Sequence, residues 1–185
     1  MTLKIAVLVG SLREGSFTRK VAKALMSLAP ESLAFESIEI GDLPLYNQDL
    51  ETERPPSQWV AFRDAVRPLN GVLFVTPEYN RSVPGVLKNA IDVGSRPFGK
   101  SVWSRKPAGV VSVSPGALGG FGANHHLRQS LVFLDMPAMQ QPEAYVGGAA
   151  NLFDEHDEVK VEPTRDFLKS FMEAFAGWVE RNAAH

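Results

Sequence analysis

The chain has 185 residues, of which 44% are hydrophobic and 22% are charged, a composition typical of one folded domain and not of a disordered chain. Its 19 Lys and Arg residues nearly balance its 21 Asp and Glu residues, for a net charge of −2, so no overall basic field attracts nucleic acid or an anionic membrane. The lack of cysteine excludes disulfides, thiolate metal ligands, iron–sulfur clusters and a cysteine nucleophile. We expect a single domain over residues 1–185.

The sequence also bears on where the chain resides. Its least charged region, residues 108–124, is interrupted by Gly, Pro and Ser, so no segment is both long and apolar enough to cross a bilayer. The apolar run near the start is followed by Arg13 and Glu14, where a signal peptide would need small residues before its cleavage site. We therefore expect a cytoplasmic protein that binds neither membrane nor nucleic acid.

Strand and helix patterns alternate along the chain. Short aliphatic runs are typical of strands buried on both faces, and apolar residues repeating every three to four positions are typical of helices. In chain order, these patterns predict five strands, each followed by a helix. The strands are expected over 4–9, 33–40, 72–75 and 109–113, with a short one within 138–146. The helices are expected from Ser16 to Pro30, from Ser57 to Pro68, from an opening at Ser82 and Pro84, through Leu127 and Leu134, and, as the closing helix, through Phe167 and Trp178. Ser57 is expected to cap the helix that it opens. The polar loop over 41–56 is long enough to suggest a functional role.

Five strands alternating with helices predict a doubly wound α/β fold, a five-stranded parallel sheet with helices on both faces. In such sheets ligands bind beyond the carboxyl ends of the strands, where the strand order reverses. The loops after the first, third and fourth strands are therefore the places to look for a site.

The first of these loops, Gly10 to Arg19, lies between a buried strand and the start of a helix. Free backbone N–H groups and the helix dipole favour an anion there, and the loop also offers hydroxyl and guanidinium groups. It lacks the GxGxxG pattern of dinucleotide sites, so a single terminal phosphate suits it better. The alternative is a plain turn whose Ser16 only caps the helix.

The second loop, Thr76 to Gly85, carries the sequence TPEYNRSVPG. Its proline, aromatic ring and asparagine offer exposed amides beside a flat apolar surface, which suits a planar heteroaromatic ligand. The third loop, Ser112 to Asn124, is rich in glycine, which permits either close approach of a ligand to the backbone or mobility. Each loop taken alone also fits a turn without function, and only their convergence on one sheet edge favours a site.

Together, the motifs GSLREGSFTRKVA, PEYNRSVPGVLKNAID and SVSPGALGG resemble those of the flavodoxin-like NADPH-dependent FMN reductases, a family that includes bacterial quinone, chromate and azo-compound reductases. The resemblance implies a flavodoxin-like fold, bound FMN, NADPH or NADH as reductant, and a homodimer or homotetramer with the flavin near the subunit boundary. It covers most of the chain, from the first strand to the helix at Leu127.

The resemblance also implies roles for particular residues. The residues expected to hold the FMN phosphate are Ser11, Arg13, Ser16, Phe17, Thr18 and Arg19. Those expected to border the isoalloxazine ring are Pro77, Glu78, Tyr79 and Asn80, with Ser114, Gly116 and Gly119 in the glycine loop. Thr18 stands where the family often has Asn, although its hydroxyl can still donate a hydrogen bond to phosphate.

Two other patterns have weaker functional interpretations. Residues 94–101, GSRPFGKS, match the P-loop pattern, but a predicted helix precedes them and Pro107 and a strand follow, the reverse of the context that a P-loop needs. His125 and His126 are adjacent, so on a helix they point about 100° apart and cannot chelate one metal ion. We expect no metal site.

The resulting hypothesis is an FMN-dependent oxidoreductase that takes hydride from NAD(P)H and reduces a small electron-poor acceptor such as a quinone, an azo compound, chromate or flavin, with ping-pong kinetics. The flavin performs such chemistry, so no side chain is assigned as catalytic; Asn80 and Arg81 are the candidates to contact the nicotinamide cofactor or the acceptor. The alternatives are a flavodoxin-type electron carrier, for which a net charge of −2 offers no acidic docking face, and an FMN-binding sensor.

Overall fold

A computed structural model describes residues 2–183. It contains one five-stranded parallel sheet in the order β2-β1-β3-β4-β5. The strands are β1 Leu3–Val9, β2 Leu33–Ser37, β3 Gly71–Pro77, β4 Ala108–Val113 and β5 Ala144–Val146, and the helices are α1 Phe17–Leu28, α2 Ser57–Val66, α3 Gly85–Gly94, α4 Phe121–Phe133 and α5 Glu162–Asn182. The doubly wound, flavodoxin-like α/β fold predicted from the alternating patterns is confirmed.

The helices form two layers, one on each face of the sheet. On one face α1 and α5 cover alternate strand residues such as Ile5 and Val7, with Phe171 and Phe175 fully buried among them. On the other face α2, α3 and α4 cover the intervening residues, including Leu8. Because neighbouring residues of a strand point to opposite faces, both faces demand apolar side chains, which explains the near-continuous aliphatic run of β1.

Two strands are shorter than their sequence patterns predict. The predicted second strand, 33–40, ends at Ser37, where its pairing with β1 ends at the Val7–Ser37 pair. Ile38 and Ile40, which are two residues apart, both pack into the core beneath α2 without belonging to the strand. The predicted fifth strand, within 138–146, is reduced to Ala144–Val146. Ala138 makes only an isolated bridge to β4, and Pro142, which has no N–H, interrupts the hydrogen-bond ladder.

Helix starts also differ from prediction. Ser57 is the first residue of α2 and not its cap; Pro56 precedes it, and no side chain caps this end. The third helix begins at Gly85, directly after Pro84, so Ser82 belongs to the preceding loop.

The segment that matches the P-loop pattern lies at the end of α3 and not at the start of a helix. Gly94 is the last residue of α3, and the exposed Lys100 is followed by an irregular segment leading into β4. This arrangement has no helix N-terminus to surround a phosphate, in agreement with the prediction. Within residues 2–183, no helix combines the length and apolar character needed to cross a membrane.

Gly94 has a structural role that offers a test of the packing. A Cβ atom at this position would lie 2.4–2.5 Å from the indole of Trp103, which is fully buried and donates a hydrogen bond from Nε1 to the Ile91 carbonyl at 2.9 Å. Because the ring cannot move without breaking that bond, Gly94→Ala should lower the free energy of unfolding by about 1–3 kcal/mol, as overpacked cores do. Urea denaturation measures the change.

The control is Gly85→Ala on the same helix, where a Cβ atom meets nothing within 4 Å. We expect its stability to stay within about 1 kcal/mol of the original, since alanine is the better helix former. Equal loss of stability in the two variants would contradict the packing explanation.

Candidate functional site

The loops after β1, β3 and β4 meet at the carboxyl edge of the sheet. We call them loop 1 (residues 10–16), loop 2 (residues 78–84) and loop 3 (residues 114–120). Loop 1 starts directly against β3, where Gly10 N donates to Val75 O at 2.8 Å. A Cβ atom at Gly10 would lie only 3.0 Å from Thr76 Oγ1 and 3.1 Å from Pro77 Cδ. The glycine therefore lets the ends of β1 and β3 approach closely, at the point where the strand order reverses.

The start of α1 presents free hydrogen-bond donors beside loop 1. Ser16 caps this helix, and its Oγ accepts a hydrogen bond from Arg19 N at 3.2 Å. The backbone N–H groups of Phe17 and Thr18 donate no hydrogen bond within the described part of the chain. Two unsatisfied N–H groups at the positive end of a helix dipole are suited to an anion.

Hydroxyl groups surround the same helix start. Ser11, Ser16 and Thr18 are all buried. Ser11 Oγ accepts a hydrogen bond from Arg13 N at a long 3.4 Å, which keeps loop 1 folded back on itself. Of the hydroxyls predicted to contact a phosphate, those of Ser16 and Thr18 therefore belong to the start of α1, where the free N–H groups lie.

The two arginines of this region differ in their surroundings. Arg13 is exposed, and its guanidinium makes no ion pair within residues 2–183. Arg19 instead extends towards the end of β2, where Nη2 lies 3.9 Å from Glu39 Oε2. Its Nε atom is buried and has no hydrogen-bond partner among the described residues. Buried unpaired donors are rare in folded proteins, so Arg19 Nε is a further donor without an acceptor in this region.

Loop 2 contains a tight turn at Tyr79–Ser82. These two residues exchange backbone hydrogen bonds of 3.0 Å in both directions, and Asn80 and Arg81 between them have φ values of 52° and 65°, as in a type I′ turn. The N–H groups of Asn80 and Arg81 donate no hydrogen bond in the described chain. The turn thus offers free amides next to the exposed ring of Tyr79.

Loop 3 is closed by its own hydrogen bonds. Ser114 Oγ accepts from Gly116 N at 3.1 Å, and Gly116 O accepts from both Gly119 N and Gly148 N at 3.3 Å. Gly119 has a φ of +59°, and a Cβ atom there would lie 2.5 Å from the backbone of Tyr145. The predicted roles of these glycines were close approach of a ligand or mobility, whereas the close approach seen at Gly119 is that of the β5 backbone.

Glu78, predicted to border the isoalloxazine ring, makes two contacts that sequence reasoning did not predict. Its side chain turns towards α4, where Oε2 accepts a hydrogen bond from Ala123 N at 3.1 Å, and Oε1 accepts from Arg81 Nη1 at 3.0 Å. The side chain is only 12% exposed. The one sequence signal that could have pointed to this cap is Gly120, which stands before α4 and has no side chain to cap the helix itself.

The two histidines of α4 contact different neighbours. His125 Nε2 lies 3.0 Å from Tyr145 Oη, and His126 Nδ1 lies 3.0 Å from Ser82 Oγ. The ring of Phe121 stacks at a tilt on His125, with centroids 4.2 Å apart. Within the described residues, no group of three or more His, Cys, Asp or Glu side chains is arranged to hold a metal ion.

Burial raises the pKa of Tyr145 to about 12, with further contributions from the side chain and charge of Glu143, which outweigh the opposing effect of Arg128. The phenol therefore stays protonated through neutral pH, and its hydroxyl keeps a proton to share with His125. Tyr145, which lies on the short strand β5, is not among the residues predicted for the site.

This edge of the sheet fits one kind of ligand. The free N–H groups of α1, the clustered hydroxyls and the unpaired Arg19 Nε suit a phosphate, while the turn of loop 2 suits a flat ring with hydrogen-bond acceptors. A doubly wound sheet with such a site at its switch point defines a flavodoxin-like flavin-binding protein.

Comparison with known proteins identifies the family within that class. Residues 3–151 match the sequence model of a family described as NADPH-dependent FMN reductase, and the chain belongs to this family. It is an oxidoreductase that uses FMN and NAD(P)H, which confirms the resemblance seen in the three motifs.

Individual relatives agree over nearly the whole chain. A quinone reductase of Pseudomonas putida is 66% identical over 180 residues, covering 97% of this chain and 96% of the relative. A 2-hydroxy-1,4-benzoquinone reductase of a Burkholderia species is 47% identical over 179 residues, covering 97% of each chain. Among solved structures, the flavoenzyme FerB of Paracoccus denitrificans, an NAD(P)H:(acceptor) oxidoreductase, superposes with a TM-score of 0.93 at 40% identity, covering 99% of this chain and 100% of FerB.

The raised pKa of Tyr145 predicts a pH effect. In the folded protein the pKa of Tyr145 is raised from 10.0 to about 12, so the phenol keeps its proton until the pH nears 12, whereas the unfolded chain releases it near pH 10. The stability linked to this proton is therefore complete below pH 10 and is lost as the pH rises towards 12. Subtracting the tyrosinate absorbance of Tyr145→Phe from that of the original protein isolates the titration of Tyr145. This difference should appear only near pH 12; a rise centred at pH 10 would contradict the assignment.

Proposed function

We propose that this chain is an FMN-dependent NAD(P)H:quinone oxidoreductase. The observation that carries the proposal is the pair of donor sets on one sheet edge, with free N–H groups at Phe17 and Thr18 on α1 and at Asn80 and Arg81 in loop 2. The first set suits a terminal phosphate and the second a ring with carbonyl and nitrogen acceptors. The names of the relatives from Pseudomonas putida and Burkholderia support a quinone as the acceptor.

The residues of the site divide into two groups. Those that we assign to the FMN phosphate are Ser11, Arg13, Ser16, Phe17, Thr18 and Arg19. Those that we assign to the ring are Pro77, Glu78, Tyr79, Asn80, Ser114, Gly116 and Gly119. Among the phosphate residues, Arg13 is free to turn towards the ligand. Arg19 Nη2 would have to leave Glu39, but that ion pair is long and exposed, so breaking it costs little free energy.

The chain's own groups bind and orient; they do not carry the redox chemistry. Bound FMN supplies hydride acceptance and electron transfer. The N–H groups of Asn80 and Arg81 orient the ring and lie where a nicotinamide cofactor or acceptor would approach. With one ring position serving both substrates in turn, the kinetics are ping-pong.

The rim of the site suits a flat apolar acceptor. Exposed apolar side chains surround its mouth: Leu12 from loop 1, Tyr79 from loop 2, Leu118 from loop 3 and Phe121 from the start of α4. Large apolar side chains grouped around a cleft commonly mark a ligand site. Azo compounds, chromate and free flavin remain further candidate acceptors, of which the oxyanion chromate gains least from this rim.

The proposal extends to assembly and location. On α4, Val132 and Phe133 are 78% and 90% exposed, an apolar surface that self-association would cover. We therefore assign a homodimer or homotetramer. A cytoplasmic location and a single flavin-binding domain over residues 1–185 are further parts of the proposal.

Arg13 tests the phosphate assignment. Arg13→Ala should remove charge-assisted hydrogen bonds worth about 1.5–3 kcal/mol and weaken FMN binding tenfold or more. Quenching of flavin fluorescence on titration of the apoprotein measures the dissociation constant. Stability should not change, because Arg13 makes no ion pair in residues 2–183.

The matched control is Arg67→Ala, which removes an exposed arginine just beyond α2, at the opposite edge of the sheet. Its FMN affinity should equal that of the original protein. An Arg13→Ala variant with unchanged affinity would remove Arg13 from the site.

The absorbance spectrum tests the function as a whole. The protein should show a flavin band with FMN, and the band should bleach when NADPH is added without oxygen; steady-state rates with a quinone should then give parallel double-reciprocal lines. A band that persists with both NADPH and NADH would favour an electron carrier or a sensor. No band after FMN addition would show that the three-loop site is wrong.

A further inference from the structure

Helix α4 begins without a cap of its own. Its N-cap residue is Gly120, which has a φ of 77° and no side chain, although a helix leaves its first N–H groups without intrahelical acceptors. The acceptor is supplied by Glu78, 45 residues earlier in the chain, whose Oε2 accepts from Ala123 N at 3.1 Å. A residue of loop 2 thus caps the helix into which loop 3 leads.

Two further contacts bring loop 2 against the first turns of α4. Ser82 Oγ lies 3.0 Å from His126 Nδ1. Gly122 passes so close that a Cβ atom there would lie 2.9 Å from both Glu78 Oε2 and Arg81 O. Since contacts occur at residues 78, 81 and 82, most of loop 2 lies along the first turns of α4.

The Glu78 contact is the strongest of the three. It places a carboxylate at the positive end of a helix dipole, and its side chain is only 12% exposed, so the hydrogen bond is charge-assisted and little screened by water. Arg81 Nη1 holds the other oxygen at 3.0 Å, which fixes the orientation of the carboxylate. Because Arg81 itself is 73% exposed, that ion pair alone adds little stability.

We propose that Glu78 is a positioning residue whose cap on α4 holds loop 2 and loop 3 at a fixed separation and so sets the slot for the flavin ring. The inference rests on the proposed function, since it concerns the ring end of that same site. Glu78 acts through the position of Oε2, which accepts from Ala123 N, and its charge strengthens that hydrogen bond. The phosphate end, built on α1 and loop 1, makes no use of this contact.

Binding of FMN and of riboflavin, which lacks the phosphate, separates the two ends of the site. For Glu78→Ala, the dissociation constants of FMN and riboflavin should rise by the same factor, about tenfold, as expected for the loss of a charged acceptor. For Arg13→Ala, only the FMN constant should rise. A partly unfolded variant would also weaken both flavins equally, so circular dichroism must first show that Glu78→Ala is folded.

The conservative variant tests how Glu78 acts. Glu78→Gln keeps an oxygen that can accept from Ala123 N, so it should restore both affinities to within about threefold of the original. Glu173→Ala, an exposed carboxylate on α5, is the control and should change neither constant. If Glu78→Ala does not fold by circular dichroism, Glu78→Asp, which is too short to reach Ala123, takes its place with the same expectations.

The outcomes separate this inference from the proposed function. An original protein that binds neither flavin overturns both. FMN and riboflavin binding that Glu78→Ala leaves unchanged overturns the role of Glu78 and leaves the function intact. A Glu78→Gln variant as weak as Glu78→Ala shows that charge, and not the acceptor geometry, is what matters, and overturns the positioning mechanism.

Discussion

The pairing of β1 with β3 is the constraint on which the rest of the structure depends. Both strands are buried on both faces, and their register ends at Val9 and Val75, one residue before Gly10 N binds Val75 O. The chain leaves β1 to form α1 and β2 on one side and returns to place β3 on the other, so the strand order reverses here. Because every strand is parallel, all the loops that follow the strands reach the same edge.

The two ends of the site are built in different ways. The phosphate end depends on groups close in sequence, since Ser16, Phe17, Thr18 and Arg19 belong to one helix start whose geometry is local. The ring end depends on contacts between distant segments, such as Glu78 with Ala123 and Gly119 with Tyr145. This division means that a substitution can alter one end while the other stays intact.

The long loop over 41–56 illustrates how a sequence signal of function can have a structural origin. Asn89 of α3 donates to the carbonyls of Leu43 and Pro44, and the indole N–H of Trp59 also donates to Pro44 O, at 2.9 Å. Nearby, Arg63 is almost fully buried and binds both oxygens of Glu51 at 2.9–3.0 Å. These bonds hold the loop against α2 and α3, so its length serves to cover the core on that side of the sheet.

The sequence by itself determined the order of elements, the parallel sheet and the helix start that suits a phosphate, because apolar periodicity and N-terminal capping act over a few neighbouring residues. It could not show that β2 stops at Ser37, since Ile38 and Ile40 keep a strand-like pattern while packing beneath α2. Nor could it show that Glu78 caps α4 or that Arg19 faces Glu39. Those contacts join segments that only the folded sheet brings together, and their geometry is decided by packing.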